Sequence, residues 1–267
     1  MRLMTWNINS LRLRLPLLQR LAEEQSPDII CLQETKVPDA LFPAEALREM
    51  GYPHQHFLGM KGYNGVAILS RHAMTPLEAV PDWCGKSDTR HAGILFETST
   101  GPVILHDFYV PAGGDIPDPA VNDKFAHKLA FLEEVTSWFK ENVPMRSIVV
   151  GDLNIAPLEH DVWSHKQLAT VVSHTPPEIE RLKAWQDTGF VDAMRLVVPA
   201  QEKLYTWWSY RNRDWKLSNR GRRLDHVWLT QDLAPALKGM EVLRDVRDWA
   251  SPSDHVPVMV DLDLTFA

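Results

Sequence analysis

Cysteine is nearly absent: Cys31 and Cys84 are the only two. Two thiols build no disulfide framework, and Cys31 lies in an apolar run where a buried free thiol is expected. No apolar stretch approaches the roughly 20 residues needed to cross a bilayer. The start of the chain, Met1-Arg2-Leu3-Met4-Thr5-Trp6-Asn7, has neither the long apolar core nor the small-residue cleavage site of a signal peptide. Repeats, low-complexity tracts and composition breaks are also missing. These absences point to a soluble chain of the reducing cytoplasm. What is present is ordinary for a globular protein: 267 residues, 45% hydrophobic and 24% charged, enough for a large core and read as one domain over 1–267.

The net charge of −7 argues at first against a polyanionic partner, but its distribution matters more. Residues 203–223 carry seven Lys or Arg against one Asp, so this segment is +6 and the remainder −13. Trp207, Trp208 and Trp215 are interleaved with those cations. A local basic, aromatic segment can grip a phosphate backbone while the rest of the surface stays acidic. A solvated loop over a few core tryptophans would carry the same residues.

Runs rich in β-branched and aromatic residues predict strands at about 2–7, 28–34, 64–70, 92–97, 103–109, 146–152, 204–209, 223–230 and 256–264. Between them, 16–25 reads as a helix with Pro16 in its first turn and Leu17, Leu18, Leu21 and Ala22 on one face. In 119–141, Val121, Phe125, Leu129, Leu132, Val135 and Phe139 fall at helical spacing and predict one buried stripe. Shorter helices are expected at 43–50 and 177–187. Several strands follow one another with no room for a crossover helix. A mixed α/β sandwich with largely antiparallel or mixed sheets fits best.

The ends of these runs carry the chemistry, and they are expected to meet along one sheet edge. Met4-Thr5-Trp6 runs into Asn7, and Cys31-Leu32-Gln33 into Glu34. The run through His106 and Asp107 ends on Tyr109, and Val149-Val150-Gly151 on Asp152-Leu153-Asn154. Asp225 opens a late run, and Asp254-His255 precedes another. Asp152 and Asn154, two residues apart, project to one side, where a carboxylate can take a proton from water and an amide can hold that water. An Asx turn would use the same residues. Glu34 is a hard oxygen ligand suited to Mg²⁺, although pairing with Lys36 would be equally natural. Asn7 can ligate a metal or brace a carboxylate. His255, oriented by an acid such as Asp225, can stabilise developing negative charge.

Seven separated motifs now resemble the exonuclease III family of apurinic/apyrimidinic endonucleases. They are Asn7-Ile8-Asn9-Ser10, Cys31-Leu32-Gln33-Glu34-Thr35-Lys36, Gly65-Val66-Ala67-Ile68-Leu69-Ser70, Tyr109-Val110-Pro111, Gly151-Asp152-Leu153-Asn154-Ile155-Ala156, Arg223-Leu224-Asp225 and Ser253-Asp254-His255. The resemblance spans nearly the whole chain and implies a DNase I-like, four-layered α/β sandwich of two packed mixed sheets flanked by helices. It implies a Mg²⁺-dependent repair phosphodiesterase, Mn²⁺ being a substitute, that incises duplex DNA 5′ to abasic sites and trims 3′ ends, and a monomer is the default expectation. Metal would be held by Glu34, Asn7 and Asp254. Catalysis would fall to Tyr109, Asp152, Asn154, Asp225 and His255. DNA would be held by Lys36, Tyr63, Trp207, Trp208, Arg211, Arg213, Lys216, Arg220 and Arg222.

The chain departs from some relatives at three places: Arg222 stands for a tryptophan, Asn9 for an acid and Ala112 for a polar residue. Two other functions fit parts of the pattern. A phosphodiesterase for an inositol phosphate or phospholipid would use the same core but leave the basic aromatic segment idle. A non-catalytic nucleic-acid-binding module would have no reason to keep Glu34, Asp152, Asn154, Asp225 and His255 together.

Overall fold

The computed structural model describes residues 1–78, 80–212 and 214–267. Among them, twelve strands form two six-stranded sheets. The first sheet contains β1 (Arg2–Asn7), β2 (Ile29–Gln33), β3 (His54–Leu58), β4 (Val66–Ser70), β11 (Leu237–Val242) and β12 (Val258–Leu262), in the order β11-β12-β1-β2-β4-β3. The second contains β5 (Thr75–Pro76), β6 (His91–Thr98), β7 (Gly101–Tyr109), β8 (Ser147–Asp152), β9 (Phe190–Asp192) and β10 (Asp225–Thr230), in the order β5-β6-β7-β8-β10-β9.

Each sheet has one parallel pair at its centre, β1 with β2 and β7 with β8, and antiparallel neighbours elsewhere. A parallel pair needs a crossover, and the chain supplies a helix for each: α1 (Leu11–Gln25) and α3 (Asp123–Glu141). Both βαβ units therefore present their strand C-termini at the same end of the molecule, the end where α/β sheets gather ligands. The other helices are α2 (Ala44–Glu49), α4 (His165–Leu168), α5 (Pro176–Gln186), α6 (Ala193–Val197) and α7 (Trp215–Ser218).

The core is layered accordingly. Leu3, Ile29, Leu105, Ile148, Leu229 and their neighbours fill the space between the sheets. Met4, Trp6, Leu18 and Leu21 pack α1 on the outer face of the first sheet, and Phe108, Phe131, Leu132 and Trp185 pack α3 and α5 on the outer face of the second. Among the described residues no helix is long and apolar enough to cross a membrane.

The structure corrects several expectations. Residues 204–209 form no strand. Trp207 makes only isolated bridges to Arg222 and His255, while Tyr205 and Trp208 pack into a small core with Trp215 and Val256. The segment is a strap whose apolar residues fill the rim of the site. Helix α1 begins at Leu11, with Pro16 inside it on an exposed face, where the carbonyl freed one turn earlier, on exposed Arg12, meets water. Val121 precedes α3 and is 69% exposed, because Asn122 caps the helix through the Lys124 N–H. Four strands were not expected from the pattern: β3, β5, β9 and β11. All four are sheet edges, short or polar and paired to a neighbouring strand on one side only.

Candidate active site

The marked strand ends do not lie along one sheet edge. Asn7 and Glu34 come from the first sheet, and Tyr109, Asp152 and Asp225 from the second, so the site is the mouth between two facing sheets.

Local backbone turns the side chains into this mouth. Asn9, Glu34 and Asn154 all have left-handed φ, at 47°, 51° and 54°, which ends each strand abruptly. Gly151, at φ 131°, lets β8 pass close to β7: a Cβ there would stand 2.0 Å from the Phe108 carbonyl oxygen.

Asn7 is the hinge between the sheets. Its Nδ2 donates to Glu34 Oε1 at 2.9 Å and to Asp152 Oδ2 at 2.8 Å, while its Oδ1 accepts the Asn9 N–H at 3.1 Å. The amide thus braces two carboxylates, and ligation through Oδ1 would require release of Asn9. Glu34 also pairs with Lys36 at 2.7 Å, so both readings of that residue coexist. Burial pushes the Glu34 carboxyl up, but Lys36 outweighs it and holds it below its ordinary value. The Lys36 ammonium also donates to Asn9 Oδ1 at 2.6 Å, which makes it part of the site.

Asp152 accepts from the Asn154 backbone N–H at 2.9 Å and from Asn154 Nδ2 at 3.1 Å. Full burial shifts its carboxyl upward, toward a group that takes a proton near neutrality. His255 donates through Nδ1 to Asp225 Oδ2 at 2.8 Å, leaving Nε2 at 3.6 Å from Asp152 Oδ2. Burial alone would lower the imidazole, but Asp225 and then Asp152 outweigh it and raise it well above its ordinary value. Asp152, Asp225 and His255 place one donor atom each within 4.8 Å of one another, a metal-sized grouping. An imidazolium already bridging the two carboxylates fills that role itself. Tyr109 is nearly buried, and burial with Glu34 and Asp152 close by pushes its hydroxyl well up, so it stays protonated.

The donor set suits a hard divalent cation. Four carboxylates (Glu34, Asp152, Asp225 and Asp254) face two formal cations, Lys36 and His255, leaving two negative charges in a half-closed mouth. Both oxygens of Glu34 have partners in this arrangement, Oε1 in Asn7 Nδ2 at 2.9 Å and Oε2 in Lys36 Nζ at 2.7 Å. Both oxygens of Asp254 are engaged, by Asn9 Nδ2 at 3.1 Å and Trp207 Nε1 at 2.9 Å.

A sequence profile of the endonuclease/exonuclease/phosphatase family matches residues 4–255. The chain belongs to this family. Exodeoxyribonuclease III of Haemophilus influenzae is 29% identical, over 98% of this chain and 99% of its own length. Among solved structures, an AP endonuclease from Archaeoglobus fulgidus is 31% identical with a TM-score of 0.89, over 98% of this chain and 99% of that one. The 3′ phosphatase NExo from Neisseria, bound to a product DNA hairpin, is 32% identical with a TM-score of 0.87, over 98% and 99%.

Around this exonuclease III-type core, the residues expected to hold DNA divide. A cleft of about 520 Å³ opens beyond Trp207, lined by Trp163, Arg211, Arg220 and Arg222. The Arg220 guanidinium sits 4.7 Å over the Trp163 ring, and Arg222 sits 5.4 Å over Trp207 while donating to Ser173 Oγ at 2.7 Å. Arg211 and Arg220 are exposed, as is Tyr63. Trp208 is not available for stacking: it is 1% exposed, between Trp215 and the Arg244 guanidinium, with Nε1 donating to Asn219. Lys216 pairs with Asp248. Arg213 lies outside the described residues.

Two supporting groups escaped the sequence reading. Lys128, fully buried, donates to the Asn154 carbonyl at 2.8 Å and pairs with Glu178. Its signal was a lysine three residues after Phe125 on the buried stripe of α3. Arg90 lies 5.0 Å over the Tyr109 ring, and nothing in its local sequence marks it.

Proposed function

We propose that the chain is a Mg²⁺-dependent, monomeric nuclease of the cytoplasm that cuts duplex DNA 5′ to abasic sites and clears nucleotides and blocking groups from 3′ ends. That it is a hydrolase acting on DNA follows from its family and relatives. The observation that carries the finer reading is the file Asp225–His255–Asp152 beside the Asn7-braced Glu34, with Trp207 of the Arg–Trp cleft hydrogen-bonded to the neighbouring Asp254.

In this reading Asp152 aligns the attacking water and accepts its proton. Three N–H donors, two from Asn154 and one from Asn7, fix the carboxylate's rotation. His255, kept cationic by Asp225, faces the same space and stabilises charge developing on the phosphate. Tyr109 remains a neutral hydroxyl and supplies a hydrogen bond to phosphate or to the leaving oxygen. Glu34 holds the metal, with Asn7 orienting that carboxylate and Asp254 holding Trp207 at the edge of the site. When bound, the cation polarises a phosphate oxygen and offsets the negative charge of the cluster. Arg211, Arg220 and Arg222 contact flanking phosphates, and Trp207 offers the aromatic surface at the cleft.

The test offers the protein three substrates under one Mg²⁺ condition with a chelator control: an abasic duplex, an undamaged duplex with a recessed 3′ end, and a nick blocked by a 3′ phosphate. Cleavage that requires Mg²⁺ on the abasic and 3′-end substrates is expected. Failure on all three, or full activity in chelator, would sink the proposal.

A further inference from the structure

Strand alternation divides the space between the sheets into tiers. Asn7, Tyr109 and Asp152 occupy the top tier, at the ends of β1, β7 and β8, with Leu3, Leu105 and Ile148 below them in the apolar interior. One pleat beneath the site stand Thr5 on β1 and Asp107 on β7, the first 1% and the second 0% exposed. Gln33 lies beside Asn7 in register, and its side chain reaches this lower tier. Its Nε2 donates to Asp107 Oδ1 at 2.6 Å and to Thr5 Oγ1 at 3.0 Å.

This is the wrong place for a carboxylate unless it does something. Burial pushes the Asp107 carboxyl well above its ordinary range, with hydrogen bonds from the Gln33 side chain and the Leu32 backbone opposing it. The bond from Gln33 gives Asp107 a directional link across the sandwich. That bond reaches from β7, two residues before Tyr109, to the last residue of β2, whose next residue is Glu34 in its left-handed turn.

We propose that Asp107 is a positioning residue: through Gln33 it ties the strand end carrying Glu34 to the strand carrying Tyr109, and so fixes where the Glu34 carboxylate stands. An apolar pair of similar volume would fill the same space but would leave the direction of that strand end unspecified. The proposal rests on the reading that Glu34 holds the metal.

The experiment measures Mn²⁺ binding to the DNA-free protein by electron paramagnetic resonance, and kcat and KM on an abasic duplex, for Asp107→Asn, Asp107→Val and Glu34→Gln. Asp107→Val should weaken Mn²⁺ binding and lower kcat by about 10–100-fold with KM for DNA unchanged, the usual scale for losing a group that orients a metal ligand. Asp107→Asn, whose amide oxygen can accept the same Gln33 bond, should restore both. Native Mn²⁺ affinity in Asp107→Val overturns the proposal, as does an Asp107→Asn as impaired as Asp107→Val. If Asp107→Val fails to fold, Gln33→Met removes the bond from the other side and is judged by the same Mn²⁺ and kcat criteria. Glu34→Gln separates the two claims. Undiminished Mn²⁺ binding there defeats the metal-ligand reading itself, whereas loss there with native binding in Asp107→Val defeats only the positioning role.

Discussion

Asp152 and Asp225 are direct partners across β8 and β10, and His255 spans both, its Nδ1 2.8 Å from Asp225 and its Nε2 3.6 Å from Asp152. Two buried carboxylates side by side repel unless a cation or a proton intervenes. The imidazolium supplies the cation, and the unequal distances make Asp225 the partner that anchors the ring.

Replacing Asp225 with Asn should lower turnover by about 10–100-fold, as expected for losing the partner that orients a histidine. It also removes the first of the carboxylates that raise His255, so the imidazolium should lose its proton at lower pH. In the proposed mechanism the protonated form is the active one, so activity is lost as pH rises through that pKa. The alkaline limb of the pH–rate profile should therefore move to lower pH in Asp225→Asn, and an unmoved limb would show that Asp225 does not hold the charge.

Asp152→Asn keeps the shape and can keep most of the hydrogen bonds but cannot accept a proton. Turnover should fall by about 10²–10⁴-fold, the usual contribution of a positioned base. Circular dichroism and duplex binding should match the native protein. Near-native turnover would make Asp152 a structural residue.

Two residues before Asp225, Arg223 forms a buried ion pair with Asp161. Arg223 donates to Asp161 through Nε at 2.7 Å and Nη2 at 2.9 Å, and Arg195 joins the same carboxylate. Burial alone would raise the Asp161 carboxyl, but Arg223 and Arg195 outweigh it and hold it low. A depressed carboxyl contributes stability above its unfolded value near ~3.9, and that stability is lost as pH falls through the folded value. Asp161→Asn should cost about 3–5 kcal/mol at neutral pH, with the gap to native closing in acid. Urea unfolding at pH 7 and at successively lower pH reads both, and a pH-independent difference would rule out the charge as its source.

Arg211 and Arg220 are exposed at the rim of the Trp163–Trp207 cleft. Arg211→Glu and Arg220→Glu should each weaken duplex binding and reduce the slope of log affinity against log salt by roughly 1. The bond cleaved should stay the same. An unchanged slope would place these arginines off the DNA path.

How much of this was legible before folding follows the burial of each element. The central strands β1, β2, β7, β8 and β10 announced themselves because they are covered on both faces and so are continuously apolar. The edge strands were silent for the opposite reason: His54-Gln55-His56 in β3 and Lys238-Gly239 in β11 are exposed or half-buried, so no continuous apolar run marks them. Trp208 misled because a tryptophan in a basic segment looks the same whether it stacks on a base or fills a rim core. Asp107 carries no role in the sequence pattern because its partner, Gln33, is distant in sequence and on the other sheet.

Asn7, Glu34, Tyr109, Asp152 and Asp225 were recognisable from the sequence alone, because each terminates or opens an apolar run and carries a group unsuited to the run it adjoins. Which of them meet was decided only by tertiary structure. Strand order brings Asp152 opposite Asp225, and the packing of one sheet on the other brings Asn7 to both Glu34 and Asp152. Local propensity acts over a few residues. These contacts depend on register and on the fit of two hydrophobic faces, which exist only when the whole core has closed.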